Sequence, residues 1–108
     1  MDEIIEISNW QQRLKDFGPK RDWKQFHDPK NFAMALNVEA GELLEIFQWL
    51  NSDESFSKLK EDDFKLKVAE EVSDIFFYLI QFADITGINL NEALEHKIKM
   101  NEDKYPTS

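Results

Sequence analysis

Apolar residues recur at spacings of three and four along most of this chain, the period of helices packed on one face. The first run, Ile7, Trp10, Leu14 and Phe17, predicts a helix from about Asp2 to Phe17, closed by Gly18-Pro19. An irregular connector follows, Pro19-Lys-Arg-Asp-Trp-Lys-Gln-Phe-His-Asp-Pro-Lys-Asn31, unusually rich in aromatic and basic groups for a linker. Asp28-Pro29 predicts the next helix start, an N-cap acid with proline at the first helical position. That helix should reach about Leu50, with Phe32, Leu36, Glu39, Leu43, Ile46, Phe47 and Leu50 on its stripe. A polar loop is expected from Asn51 to about Asp62. A third helix should run from about Asp62 to Thr86 on Val68, Val72, Ile75, Phe76, Leu79 and Ala83, with Gly87 as the residue past its end. Asn89 and Glu92 read as the capping box of a fourth, stopped by Pro106. The expected fold is all-α: a single domain of four helices.

Acids interrupt this pattern in an informative way. At roughly 100° per residue, Glu39 falls in the middle of the second helix's apolar stripe, Glu42 at its edge and Glu45 well away. Glu71, Asp74 and Tyr78 line one flank of the third helix, while Glu70 points to the far side. Each pair, Glu39 with Glu42 and Glu71 with Asp74, is spaced i, i+3 and shares a face. A solvated surface charge should not sit at the centre of an apolar stripe, and neither helix places a base beside Glu39 or Glu42 to pair with it. Four carboxylates converging from two packed helices would offer the all-oxygen ligand set that suits Mg²⁺, with Mn²⁺ as a substitute. A di-iron bundle would call for Glu-x-x-His repeats, and no Glu here has His three residues later.

Composition narrows the partners. The chain has 108 residues, 42% of them hydrophobic and 13% aromatic, enough for one folded core. It lacks cysteine, which removes disulfides and thiolate metal sites. No apolar run is long enough to span a bilayer, and the start of the chain does not read as a signal peptide; a cytoplasmic location and no membrane partner are expected. A net charge of −9 repels polyphosphate backbones and argues against nucleic-acid polymers as partners. A small phosphorylated ligand remains compatible if a cation bridges the charges.

Glu39-x-x-Glu42, a long spacer and Glu71-x-x-Asp74 together resemble the motif of the MazG-like all-α nucleoside triphosphate pyrophosphohydrolases, and within them the dCTP-pyrophosphatase-like branch. Arg21-Asp-Trp-Lys-Gln-Phe-His-Asp-Pro-Lys-Asn31, Glu39-Ala-Gly-Glu-Leu-Leu-Glu-Ile-Phe-Gln-Trp49, Glu70-Glu-Val-Ser-Asp-Ile-Phe-Phe-Tyr78 and Lys97…Asn101…Tyr105-Pro106 continue the likeness in order. The resemblance implies Mg²⁺-dependent hydrolysis of a (deoxy)nucleoside triphosphate to monophosphate and pyrophosphate. dCTP or related dNTPs would be preferred, in a house-cleaning role. It implies that Glu39, Glu42, Glu71 and Asp74 hold the metal and do the chemistry, that Lys97 and Asn101 contact phosphates and sugar, and that Tyr78 lies near sugar and metal. Trp23, His27 and Trp49 would form the base pocket. Against those roles stand plain core packing for Trp23 and Trp49 and a capping role for His27. Two departures bear on this. Glu102-Asp103-Lys104 replaces a basic run that the branch can carry. Leu14 stands where related members can carry a polar residue that contacts the base. The alternative to an enzyme is a catalytically inactive helical interaction or regulatory module that keeps the fold.

Assembly is the last expectation. Phe47, Leu50, Phe77, Ile80 and Phe82 are too many, on too many sides, to face one small core. They predict a homo-oligomer, at least a dimer; the resemblance implies a tetramer built from two dimers, its nucleotide pocket near a subunit interface.

Overall fold

A computed structural model describes residues 7–17 and 28–107. It is all-α, with helices α1 (Ile7–Phe17), α2 (Pro29–Phe47), α3 (Ser52–Lys58), α4 (Asp62–Thr86) and α5 (Leu90–Lys104). The expected first, second, third and fourth helices are α1, α2, α4 and α5; residues 1–6 of the expected first helix lie outside the described residues.

The caps explain where the helices begin and end. Asp28 is extended, and its side chain accepts from the Asn31 backbone N–H at 2.8 Å and the Asn31 side-chain amide at 2.6 Å, with Pro29 behind it. α4 ends on Gly87, whose φ of 72° lies in the left-handed region. Ile88 N–H then reaches the Ala83 carbonyl at 2.9 Å and Gly87 N–H the Asp84 carbonyl at 3.3 Å, which closes a Schellman motif. At α5, Asn89 accepts from the Glu92 N–H at 3.0 Å, the Asn89 half of the expected capping box.

The full reciprocal box forms somewhere else. Asn51 accepts from Glu54 N–H at 2.8 Å, and Glu54 accepts from Asn51 N–H at 2.9 Å. It nucleates α3, inside the segment expected to be a polar loop, so the described residues form five helices where four were expected. The expectation failed because α3 has no apolar period: Phe56, its one large apolar side chain, is 77% exposed. Local capping rather than burial specifies it.

The main packing is α2 against α4, with α1 lying on α4. α2 and α4 are antiparallel, as three pairs establish. Phe47 meets Phe64 edge to face at 5.5 Å, Glu39 meets Glu71, and Phe32 meets Tyr78 at 6.3 Å. Leu14 and Trp10 of α1 are half-buried, with Arg13 over the Trp10 ring at 4.6 Å.

Full burial is scarce. Among the described residues, Phe32, Ile80 and Ala83 are the enclosed apolar side chains, joined by Gln81. The five residues expected to overflow the core do not: Ile80 is 1% exposed, and Phe47, Leu50, Phe77 and Phe82 are half-buried. α4 is covered by both α2 and α1, so side chains on more than one of its sides find cover. The uncovered apolar groups lie elsewhere, on the outer faces of α2, α4 and α5: Met34 and Val38, Val72 and Phe76, and Leu94, Ile98 and Tyr105.

Candidate metal centre

Two long helices bring the acids together at mid-length, where neither can swing away. One carboxylate oxygen from each of Glu39, Glu42 and Glu71 lies within 4.8 Å of the others. Glu39 and Glu42 come from successive turns of α2, and Glu71 comes across the seam from α4. Asp74, the fourth expected member, is exposed and does not join this group of three. Its charge still acts on both Glu39 and Tyr78.

Glu39 Oε2 and Glu71 Oε2 are buried and have no hydrogen-bond partner. Two ionised carboxylates offer only acceptors to each other, so their contact is stable only with a proton or a cation between them. The proton's share of this shows in Glu39, whose carboxyl is pushed up from 4.5 to about 7. Burial is the largest cause, followed by its contacts with the Glu71 and Glu42 carboxyls and then the charges of Glu42 and Asp74. Tyr78 is also raised above its ordinary value, first by burial and then by the charges of Glu39, Asp74 and Glu42. It therefore stays a protonated phenol at neutral pH.

The donor set fits a hard divalent cation. All three groups are carboxylates, two of them present orphaned oxygens, and two ligands on opposite sides of Mg²⁺ sit about 4 Å apart. Among the described residues, no basic side chain enters the causes of the Glu39 shift.

The remaining expected site residues are more scattered. Tyr78 is half-buried on the same flank of α4 as Glu71 and Asp74. Lys97 and Asn101 are exposed, one turn apart on α5. Trp49, just past α2, is 86% exposed, so it packs in no core of this chain. Trp23 and His27 lie outside the described residues. Sequence reasoning passed over Phe32 as a site residue; its signal was its place two turns before Glu39 on the α2 stripe.

Residues 34–108 match the MazG-like family. The chain belongs to that family. It is 36% identical over 91 residues to dCTP pyrophosphatase 1 of Rattus norvegicus and equally to that of Homo sapiens, and in each case 84% of this chain and 54% of the relative are covered. The chain thus spans about half the length of these curated relatives. A crystal structure of a pyrophosphatase from Archaeoglobus fulgidus superposes with a TM-score of 0.88 at 38% identity, covering 99% of this chain and 98% of that one. This MazG-like chain is therefore a pyrophosphatase homologue over its whole fold. No helix among the described residues is long and apolar enough to cross a membrane.

Proposed function

We propose that this MazG-like domain hydrolyses (deoxy)nucleoside triphosphates between the α and β phosphates, releasing a nucleoside monophosphate and pyrophosphate. The observation that carries this reading is the pair of buried, unpartnered oxygens on Glu39 and Glu71, in a cluster with Glu42. Such a pair is costly to a fold, and a resident divalent cation removes the cost. Glu39, Glu42 and Glu71 would hold Mg²⁺ or Mn²⁺, with Asp74 alongside. Bound there, the cation supplies neutralisation of the triphosphate and polarisation of the attacked phosphorus.

The chain's own groups would do the rest. The acid cluster repels a bare triphosphate, which makes binding depend on the cation. One of its carboxylates accepts the proton of the attacking water. Tyr78 supplies a neutral donor beside the cluster. Lys97 and Asn101 would meet phosphates and sugar, and Trp49, with Trp23 and His27, the base, whose stacking contributes roughly 1–3 kcal/mol. The name of the curated relatives, dCTP pyrophosphatase 1, supports dCTP or a related dNTP as substrate, and a role in pool house-cleaning would follow from that activity.

The working unit would be a homo-oligomer, a tetramer of two dimers. Apolar side chains stand uncovered on the outer faces of α2, α4 and α5. Covering them would bring a second subunit over those faces, where Trp49 and α5 need an additional wall.

A triphosphate panel assayed for pyrophosphate release with Mg²⁺ tests the function. The wild-type chain should release pyrophosphate from at least one dNTP, and Glu71→Gln should lose on the order of 100-fold or more, given that groups merely supporting metal ligands already cost 10–100-fold. A Glu71→Gln variant with wild-type turnover would remove the cluster from the reaction.

A further inference from the structure

Phe32 is 5% exposed, enclosed more fully than any acid of the cluster. It occupies the first turn of α2, where its own N–H is fixed to the Asp28 carbonyl at 3.1 Å. It lies two turns before Glu39 on the same helix face. Across the seam its ring meets Tyr78, with centroids 6.3 Å apart and planes tilted by 50°. Phe77 adds an edge-on contact to Tyr78 at 5.4 Å and 84°. The Tyr78 ring is thus held by one aromatic from the opposing helix and another from its own.

The hydroxyl at the end of that ring makes no hydrogen bond among the described residues. It is nonetheless close enough to Glu39, Asp74 and Glu42 to feel their charge. A half-buried phenol with no hydrogen-bond partner among the described residues, beside oxygens that repel a ligand's oxygens, is a donor whose value depends on its aim. A phenol can miss its acceptor by a small rotation about χ1, and hydrogen bonds weaken steeply with angle. The aromatic contacts restrict that rotation.

We infer that Phe32 is a positioning residue: its ring, packed on Tyr78, holds the phenol hydroxyl at the acid cluster to donate to an oxygen of the bound nucleotide. This rests on the nucleotide reading of the site proposed above. It also links the N-terminal end of α2 to the cluster at its mid-length. The helix that presents Glu39 and Glu42 also sets the donor facing them, and the Asp28 cap anchors that helix's first turn.

A double-mutant cycle in the full chain tests it. Phe32→Leu should lower kcat/KM for a cleaved dNTP with Mg²⁺ by roughly 2- to 10-fold, the worth of an aromatic pair. In a Tyr78→Phe background, which has no hydroxyl to aim, the same change should have little further effect. Mn²⁺ affinity should be unchanged throughout. An activity-independent readout comes from fluorotyrosine, since the chain has two tyrosines. Phe32→Leu should shift the ¹⁹F resonance of Tyr78 and leave that of exposed Tyr105 in place. If Phe32→Leu melts early, Phe32→Met, whose unbranched side chain adapts to an irregular space, serves instead. An equal loss in both backgrounds, or an unmoved Tyr78 resonance, would overturn the positioning role while leaving the function standing. A wild-type chain that cleaves no triphosphate would remove the function, and the donor's purpose with it.

Discussion

At the scale of single residues, the site is defined by an unmet need. Glu39 Oε2 and Glu71 Oε2 are shut from water and face each other without a donor. The folded Glu39 carboxyl binds its proton up to about pH 7, against 4.5 for its ordinary value. Between those values the folded chain holds more protons than the unfolded one, so the stability of metal-free protein should fall as pH rises from about 4.5 to about 7. Thermal melts in chelator across that range should show the decline, and added Mg²⁺ should offset it most at the upper end, where the carboxylates are free to bind. Glu39→Gln should flatten the profile. Its amide can donate to the orphaned Glu71 oxygen, a bond worth on the order of 1 kcal/mol, so the metal-free variant should melt no lower than wild type while losing activity. A metal-free wild-type melt that does not change over this range would contradict the burial of the two oxygens.

At the scale of elements, the fold was legible wherever burial leaves a period and illegible where it does not. The start and end of α4 were readable at Asp62 and Thr86, because a long apolar stripe ends on a glycine that alone tolerates the left-handed turn. α3 was not, although Asn51-x-x-Glu54 carried a capping signal in plain view. Asn51→Ala should therefore cost about 1 kcal/mol and be felt in hydrogen exchange of α3 before any other helix. At Gly87 an added Cβ meets no neighbour within 4 Å, so Gly87→Ala should cost only the backbone term, on the order of 1 kcal/mol, measurable by denaturant melts. The acid cluster was half legible. The position of Glu39 within an apolar stripe gave away a buried acid, and helix geometry aligned it with Glu42. The tight contact with Glu71, and the exclusion of Asp74 from it, depend on the register of α2 on α4, which only the packed pair reveals. The exposure of Trp49 was likewise invisible, since an aromatic at a helix end reads the same whether it packs or waits.

At the scale of the whole molecule, a single chain is proposed to work only as part of a homo-oligomer. It has a small enclosed core, and Val72, Phe76, Leu94 and Ile98 stand in solvent on the outer faces of α4 and α5. Sedimentation at micromolar concentration should show a homo-oligomer with no appreciable 12.8 kDa species. Phe76→Glu, which places a charge on an uncovered face, should release monomer and weaken nucleotide turnover together. A stable and fully active monomer would contradict this and return Trp49 and α5 to roles within one chain.

The central claim is that this acid cluster serves cleavage between the α and β phosphates, and the products report on it directly. Phosphorus NMR of dCTP incubated with the chain and Mg²⁺ should show dCMP and pyrophosphate growing in equal amounts, with Glu39→Gln silent under the same conditions. Orthophosphate appearing with dCDP, or an unchanged triphosphate across the dNTP panel, would contradict the account.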